Sequence, residues 1–156
     1  MSTLTLKRIF IHFIGLITIL INLAFMLHLT QDQEIKQLSD KDLFQALKKI
    51  AGEINKTMPI VVESGLRCEN VNALPGRKFQ YNFTITDLLK KEVDTTLIKN
   101  FIAKRKPVLT NAIRADSSMQ FFRQQKVIFI YTYRDKYFNY LYNITVKPED
   151  YQDTFN

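Results

Sequence analysis

Leu66-Arg67-Cys68-Glu69-Asn70-Val71-Asn72-Ala73-Leu74-Pro75-Gly76-Arg77-Lys78-Phe79-Gln80-Tyr81-Asn82-Phe83-Thr84-Ile85-Thr86 is the stretch that sets the fold. Phe79, Tyr81, Phe83 and Ile85 alternate with Lys78, Gln80, Asn82, Thr84 and Thr86. A period of two puts the apolar set on one face of a strand and the polar set on the other. Pro75-Gly76 is a strong turn signal. Residues 66–74 therefore read as the partner strand of a hairpin.

Upstream of the hairpin, Leu43, Leu47, Ile50, Ala51 and Ile54 recur at three- and four-residue steps. That spacing predicts an amphipathic helix over about 40–55. Ser39 followed by Asp42 resembles a capping box, and Pro59 stops any continuation. Residues 59–62 read as a short extended piece.

Downstream, Asp94 can cap a second helix carrying Leu97, Ile98, Phe101 and Ile102. Pro107 predicts a kink or a fresh start before Leu109 and Ile113. Asp116-Ser117-Ser118 can cap a short helix with Met119, Phe121 and Phe122. Two further alternating runs follow, Val127–Tyr133 and Phe138–Val146, with Arg134-Asp135-Lys136 as the turn and Pro148 as the stop. The order α-ββ-α-α-ββ implies an α+β domain: two layers, an antiparallel sheet of about four strands, helices on one face.

Ahead of this domain lies Ile9 to Leu29, without a single Asp, Glu, Lys or Arg. It is long enough to cross a bilayer as one helix, running through Leu16 and Leu20. Lys7 and Arg8 precede it, whereas residues 30–34 hold two acids and no base. The positive-inside rule then divides the chain. Residues 1–8 are cytoplasmic, 9–29 span the membrane, 30–38 form a linker, and 39–156 lie on the far side. The rival reading is a cleaved signal peptide and a secreted domain. Against it stand the length of the run and the poor match around Ala24 to a small-residue cleavage site.

The net charge is +7, and Lys7 and Arg8 carry two of those charges. What remains suits anionic lipid headgroups or an acidic protein. Lys99, Lys104, Arg105 and Lys106 concentrate it on the second helix. Lys104-Arg105-Lys106 is too short to argue nucleic-acid binding, and a domain outside the cytoplasm meets none.

Ile54-Asn55-Lys56-Thr57-Met58-Pro59, the Leu74-Pro75-Gly76 turn with Phe79-Gln80-Tyr81-Asn82-Phe83-Thr84, Leu109-Thr110-Asn111, Met119 with Phe122, and Val127–Tyr133 leading to Ile144-Thr145-Val146 stand in a familiar order. Over about residues 54–151 the chain resembles a family of small exported or membrane-anchored bacterial α+β domains. The resemblance implies a place in the bacterial envelope; combined with the topology read above, that makes an inner-membrane protein with one span, its N-terminus cytoplasmic and its domain periplasmic. It also places near Ile113 and Tyr151 the two cysteines that family members carry. An apolar-aromatic contact would then stand in for a disulfide, with the C-terminal tail brought back onto the second helix. The resemblance brings no activity with it.

Few residues here can carry catalysis. Both histidines, His12 and His28, lie in or beside the apolar segment, so the domain has none. That removes Ser-His-Asp, Cys-His and histidine-ligated metal chemistry from it. Cys68 is the one cysteine, and it reads as a buried structural residue. No catalytic, cofactor or metal site emerges. Ile128, Ile130 and Leu141 fall opposite the expected core, which suggests that something covers the second face of the sheet. The leading expectation is a non-enzymatic interaction module or accessory subunit with a protein partner in the envelope. Two alternatives stand beside it. One is an immunity or inhibitor protein against an envelope toxin or hydrolase. The other is a small-ligand binder or enzyme using Cys68 or carboxylates.

Overall fold

The computed structural model describes residues 37–152. Ile9, Leu16, Leu20 and Leu29 of the expected span, and Lys7 and Arg8 before it, lie outside the described residues. Among the described residues no helix is long and apolar enough to cross a membrane.

Helix α1 (Asp40–Asn55) starts where Ser39 predicts: the Ser39 hydroxyl accepts the Asp42 N–H at 3.2 Å. It buries Leu43, Leu47, Ala51 and Ile54. Three strands follow, β1 (Ile60–Glu63), β2 (Leu66–Leu74) and β3 (Lys78–Ile85). The β2–β3 hairpin pairs Leu74 with Lys78 across Pro75-Gly76-Arg77. Its turn needs the left-handed backbone, φ 76° at Gly76 and 59° at Arg77.

Helix α2 (Thr95–Ala115) is capped by Asp94, whose carboxylate accepts the Leu97 N–H at 2.7 Å. It continues through Pro107 rather than restarting there. Leu109 and Ile113, beyond the proline, are both buried in the core, which holds the second half of the helix in line with the same sheet face. A 3-10 turn (Ser117–Met119) and the short α3 (Gln120–Gln124) lead to β4 (Ile128–Arg134), β5 (Tyr140–Val146) and the terminal turn α4 (Pro148–Tyr151).

The sheet has five strands in the order β1-β2-β3-β4-β5, and it is mixed rather than antiparallel. β1 adds itself at the edge of β2. β3 and β4 pair in parallel, Phe79 to Phe129 and Phe83 to Tyr133. The reason is the connection. An antiparallel neighbour can follow a tight turn, but a parallel one needs a long crossover, and α2 with α3 supplies it.

One face of the sheet is aromatic. Phe79, Tyr81, Phe83, Phe129, Tyr131, Tyr133 and Tyr142 are all buried. Five of these rings, Tyr81, Phe83, Tyr131, Tyr133 and Tyr142, stack across strands, with centroids 5.4 Å apart for Tyr81–Tyr131 and 4.8 Å for Tyr133–Tyr142. Phe122 of α3, Phe101 of α2 and Tyr151 of α4 also pack on rings of this face. The tail thus returns to α2, where the Arg114 guanidinium donates to the carbonyls of Asp150 (2.6 Å) and Tyr151 (3.3 Å). Ile113 and Tyr151 are both buried in the same core, and the Tyr151 hydroxyl donates to the Val127 carbonyl at 2.7 Å.

Candidate protein-interaction surfaces

α2, α3 and α4 pack rings on the aromatic face, and α1 buries its apolar stripe in the same core. The other face of the sheet is left as a lattice of polar side chains. Register defines its rows. The first runs Val61, Arg67, Thr84, Arg134, Tyr140, one residue from each strand. The second runs Asn70, Asn82, Thr132, Asn143. The third runs Asn72, Gln80, Ile130, Thr145. Neighbours in a row are about 4.8 Å apart, the spacing of paired strands. Side chains in the lattice bond to one another: Asn82 Nδ2 to Asn70 Oδ1 at 2.8 Å, and Gln80 Nε2 to Thr132 Oγ1 at 2.7 Å.

Ile128 and Ile130 lie on this face, half-buried among the polar groups. Leu141 does not belong with them. The ladder shifts register between Tyr133 and Arg134, which leaves Leu141 unpaired, and its side chain is buried with the core. The simple alternation that assigned it to the second face fails at this bulge.

A second concave surface lies between α2 and α4. Ile102, Pro107, Thr110 and Arg114 line it together with Lys106 and Asp150, enclosing about 460 Å³. Lys106 Nζ sits 2.9 Å from Asp150. Burial raises the Asp150 carboxyl, but the Lys147 N–H and Lys106 outweigh it and the net shift is downward. The basic run on α2 is therefore split. Lys99 and Lys104 are exposed, Lys106 is spent on Asp150, and Arg105 turns inward toward Glu63 at 3.6 Å.

The turn between β4 and β5 and the first residue of β5 carry the most exposed aromatics among the described residues, Tyr137 (69%), Phe138 (54%) and Tyr140 (47%). Asp135 builds this turn. Its carboxylate accepts the N–H groups of Tyr137, Asn139 and Lys90 and the side-chain amide of Asn139. Burial pushes the carboxyl up, yet these donors prevail and hold it at about 2. Phe138 adopts φ 64°, a conformation that costs a bulky residue, and its N–H bonds the Asp135 carbonyl at 2.9 Å.

Cys68 is fully buried, and desolvation, with Glu69 nearby, pushes its thiol up to about 12. That is the environment of a packed thiol, not of a nucleophile. Among the described residues no group of acidic, histidine or cysteine side chains is placed to hold a metal ion.

Sequence reading missed Arg67, Thr84, Arg134 and the Asp135 hub. The first three were visible as polar positions of alternating strands. Their alignment into a row depends on the bulge between Cys68 and Asn70 and on a parallel pairing that periodicity does not reveal.

The chain matches no family model. It matches no curated protein either. Its fold does occur among solved structures. A candidate secreted protein from Pseudomonas aeruginosa aligns with TM-score 0.61 and 10% identity, covering 72% of this chain and 96% of that one. The type 2 secretion pilotin EpsS of Vibrio vulnificus aligns at 0.55 and 11%, covering 74% and 96%. The type II secretion pilotin AspS of Vibrio cholerae aligns at 0.50 and 9%, covering 71% and 94%. At such identities the likeness establishes a shared α+β fold.

Proposed function

We propose that this chain is an accessory protein of the bacterial envelope whose α+β domain holds a protein partner, as a small subunit of a larger assembly. The observation that carries the reading is the fold it shares, over nearly the whole described domain, with two secretion-system pilotins. The geometry supports it: the helices take one face of the sheet, and the other is left as an ordered polar lattice. In this reading residues 9–29 anchor the protein in the inner membrane, oriented by Lys7 and Arg8, and the domain works in the periplasm. Ile128, Ile130, Lys99 and Lys104 are the accessible members of the expected contact set. Lys106 takes part only by giving up Asp150. Arg105 and Leu141 act from beneath the surface, by holding its shape.

The test is chemical crosslinking in intact membranes, followed by capture of the full chain through a C-terminal tag at native expression. One stoichiometric envelope protein is the expected product. A blank at native expression, with the domain recovered folded, would sink the proposal.

A further inference from the structure

We infer that the outer face of the sheet carries an oxyanion site, formed by Arg67 and Arg134 on either side of Thr84, that takes a carboxylate from an extended acidic segment of the partner protein. This rests on the partner-holding function proposed above.

Register makes the juxtaposition. Thr84 of the central strand pairs with Arg67 on one side and with Arg134 on the other. The two arginine Cα atoms are thus two strand spacings apart, about 10 Å, and both guanidinium groups can reach a ligand above Thr84. Arg67 is ion-paired through Nε with the Glu69 carboxylate at 2.8 Å, which fixes its plane and leaves its Nη groups for a ligand. Arg134 makes one long contact, Nη1 to the Phe138 carbonyl at 3.4 Å. The remaining guanidinium nitrogens of both take no partner among the described residues.

Between them lies an orphan. Thr84 is 1% exposed, and its hydroxyl oxygen is buried with no hydrogen-bond partner among the described residues. A buried polar atom without a partner is costly, and native structures rarely leave one. The hydroxyl is closed to solvent, so a carboxylate reaches it by displacing the side chains above; seated there it would accept from the Thr84 hydroxyl and from both guanidiniums, and charge-assisted bonds of this kind are the strong ones.

The flanks argue for a peptide over a lipid surface. Along the same row, exposed Val61 and Tyr140 close the two ends, so a ligand crossing the strands meets apolar, cationic, cationic and aromatic groups in turn. Beside it runs the Asn70–Asn82–Thr132–Asn143 row, whose amides suit a peptide backbone. A lipid headgroup layer gains from many cations at once, and this face offers only two close together.

The test uses the full chain in a non-ionic detergent and a labelled Thr-Glu-Thr-Glu-Thr peptide, with Thr-Gln-Thr-Gln-Thr as its neutral twin. The expected result is about tenfold tighter binding of the Glu peptide. That preference disappears in Arg67→Gln and in Arg134→Gln, and it survives in Lys78→Gln, a cation on the same face but off this row. Equal binding of the two peptides overturns the site. So does a preference that persists in either arginine variant, or one that Lys78→Gln removes equally. Arginine-dependent binding to phosphatidylglycerol vesicles without peptide binding also overturns it. Should the arginine variants misfold by circular dichroism, Thr84→Val decides. It keeps every charge, and an unchanged preference there overturns the site, whereas at least a threefold loss supports it. Native capture of one envelope partner by Arg67→Gln as efficiently as by the wild type would remove the site while leaving the accessory function standing.

Discussion

The two faces of this one sheet have opposite chemistry, although they alternate residue by residue along the same strands. On the inner face, seven aromatic side chains are almost fully buried beneath the helices, and five of them stack across strands. On the outer face, the same backbone presents amides, hydroxyls and two arginines with no helix of the described residues over them. The difference separates stability from recognition. Burial of aromatic area is where a small domain gains its folding free energy. A polar lattice adds little to that, and it leaves specific groups free to meet a ligand.

The strongest way to break this comparison is to truncate neighbours on opposite faces. Phe79→Ala removes a fully buried ring that touches Tyr81 and Phe122. It is expected to cost about 3–5 kcal/mol in urea unfolding. Gln80→Ala, one residue on, is expected to cost under about 1 kcal/mol, since only a net side-chain hydrogen bond to Thr132 is lost. Comparable losses would mean that the outer face is structural after all.

A finer version tests the bulge. Leu141→Ala is expected to cost about 2–4 kcal/mol, because the register shift buries Leu141 with the core. Ile130→Ala is expected to cost roughly half as much or less, since its side chain is only half-buried on the outer face. Equal costs in urea titrations would place both residues on one face.

This pair also shows how far the sequence could be read. The helices, their caps at Ser39, Asp94 and Asp116, the β2–β3 hairpin and the aromatic inner face all follow from local signals within a few residues. The tail's return to α2 came only through the family resemblance. The strand order did not follow, because nothing local says that β4 will lie parallel to β3 rather than against β2. Of the kink or fresh start that Pro107 offered, the fresh start is not taken, and Leu109 and Ile113 beyond it are buried in the core. Leu141 misled because one unpaired residue reverses the alternation. The basic run at 104–106 looked like a patch, yet Arg105 and Lys106 have acidic partners, Glu63 and Asp150, that are more than 40 residues away in sequence. What escaped was everything that depends on strands joined through a long crossover or on a bulge within a strand.

The β4–β5 turn provides a pH test of the outer rim. Asp135 titrates at about 2 in the folded protein against an ordinary 3.8. A group with a lowered folded pKa adds stability that is fully present above its unfolded pKa and is lost as pH falls through the folded value. The wild type is therefore expected to lose thermal stability between about pH 4 and pH 2. Asp135→Asn is expected to melt lower at pH 7 and to show a shallower fall across that window. Parallel pH curves for the two proteins would show that the four hydrogen bonds to this carboxylate do not set the acid response.

The smallest effect expected has an unusual sign. Thr84→Val replaces a hydroxyl that is buried without a partner by a methyl group of nearly the same shape. On the inner face such a swap would break something. Here it removes the cost of an unpaired polar atom and keeps β-branching in a central strand. In phosphate-free buffer the variant is expected to be more stable by about 1 kcal/mol, read as a higher urea midpoint with an unchanged slope. A gain in stability coupled to a loss of Glu-peptide preference would mark Thr84 as a position kept for binding at the expense of folding. A loss of stability instead would mean that the hydroxyl finds a partner within the folded chain, and the two faces would then differ less than their chemistry suggests.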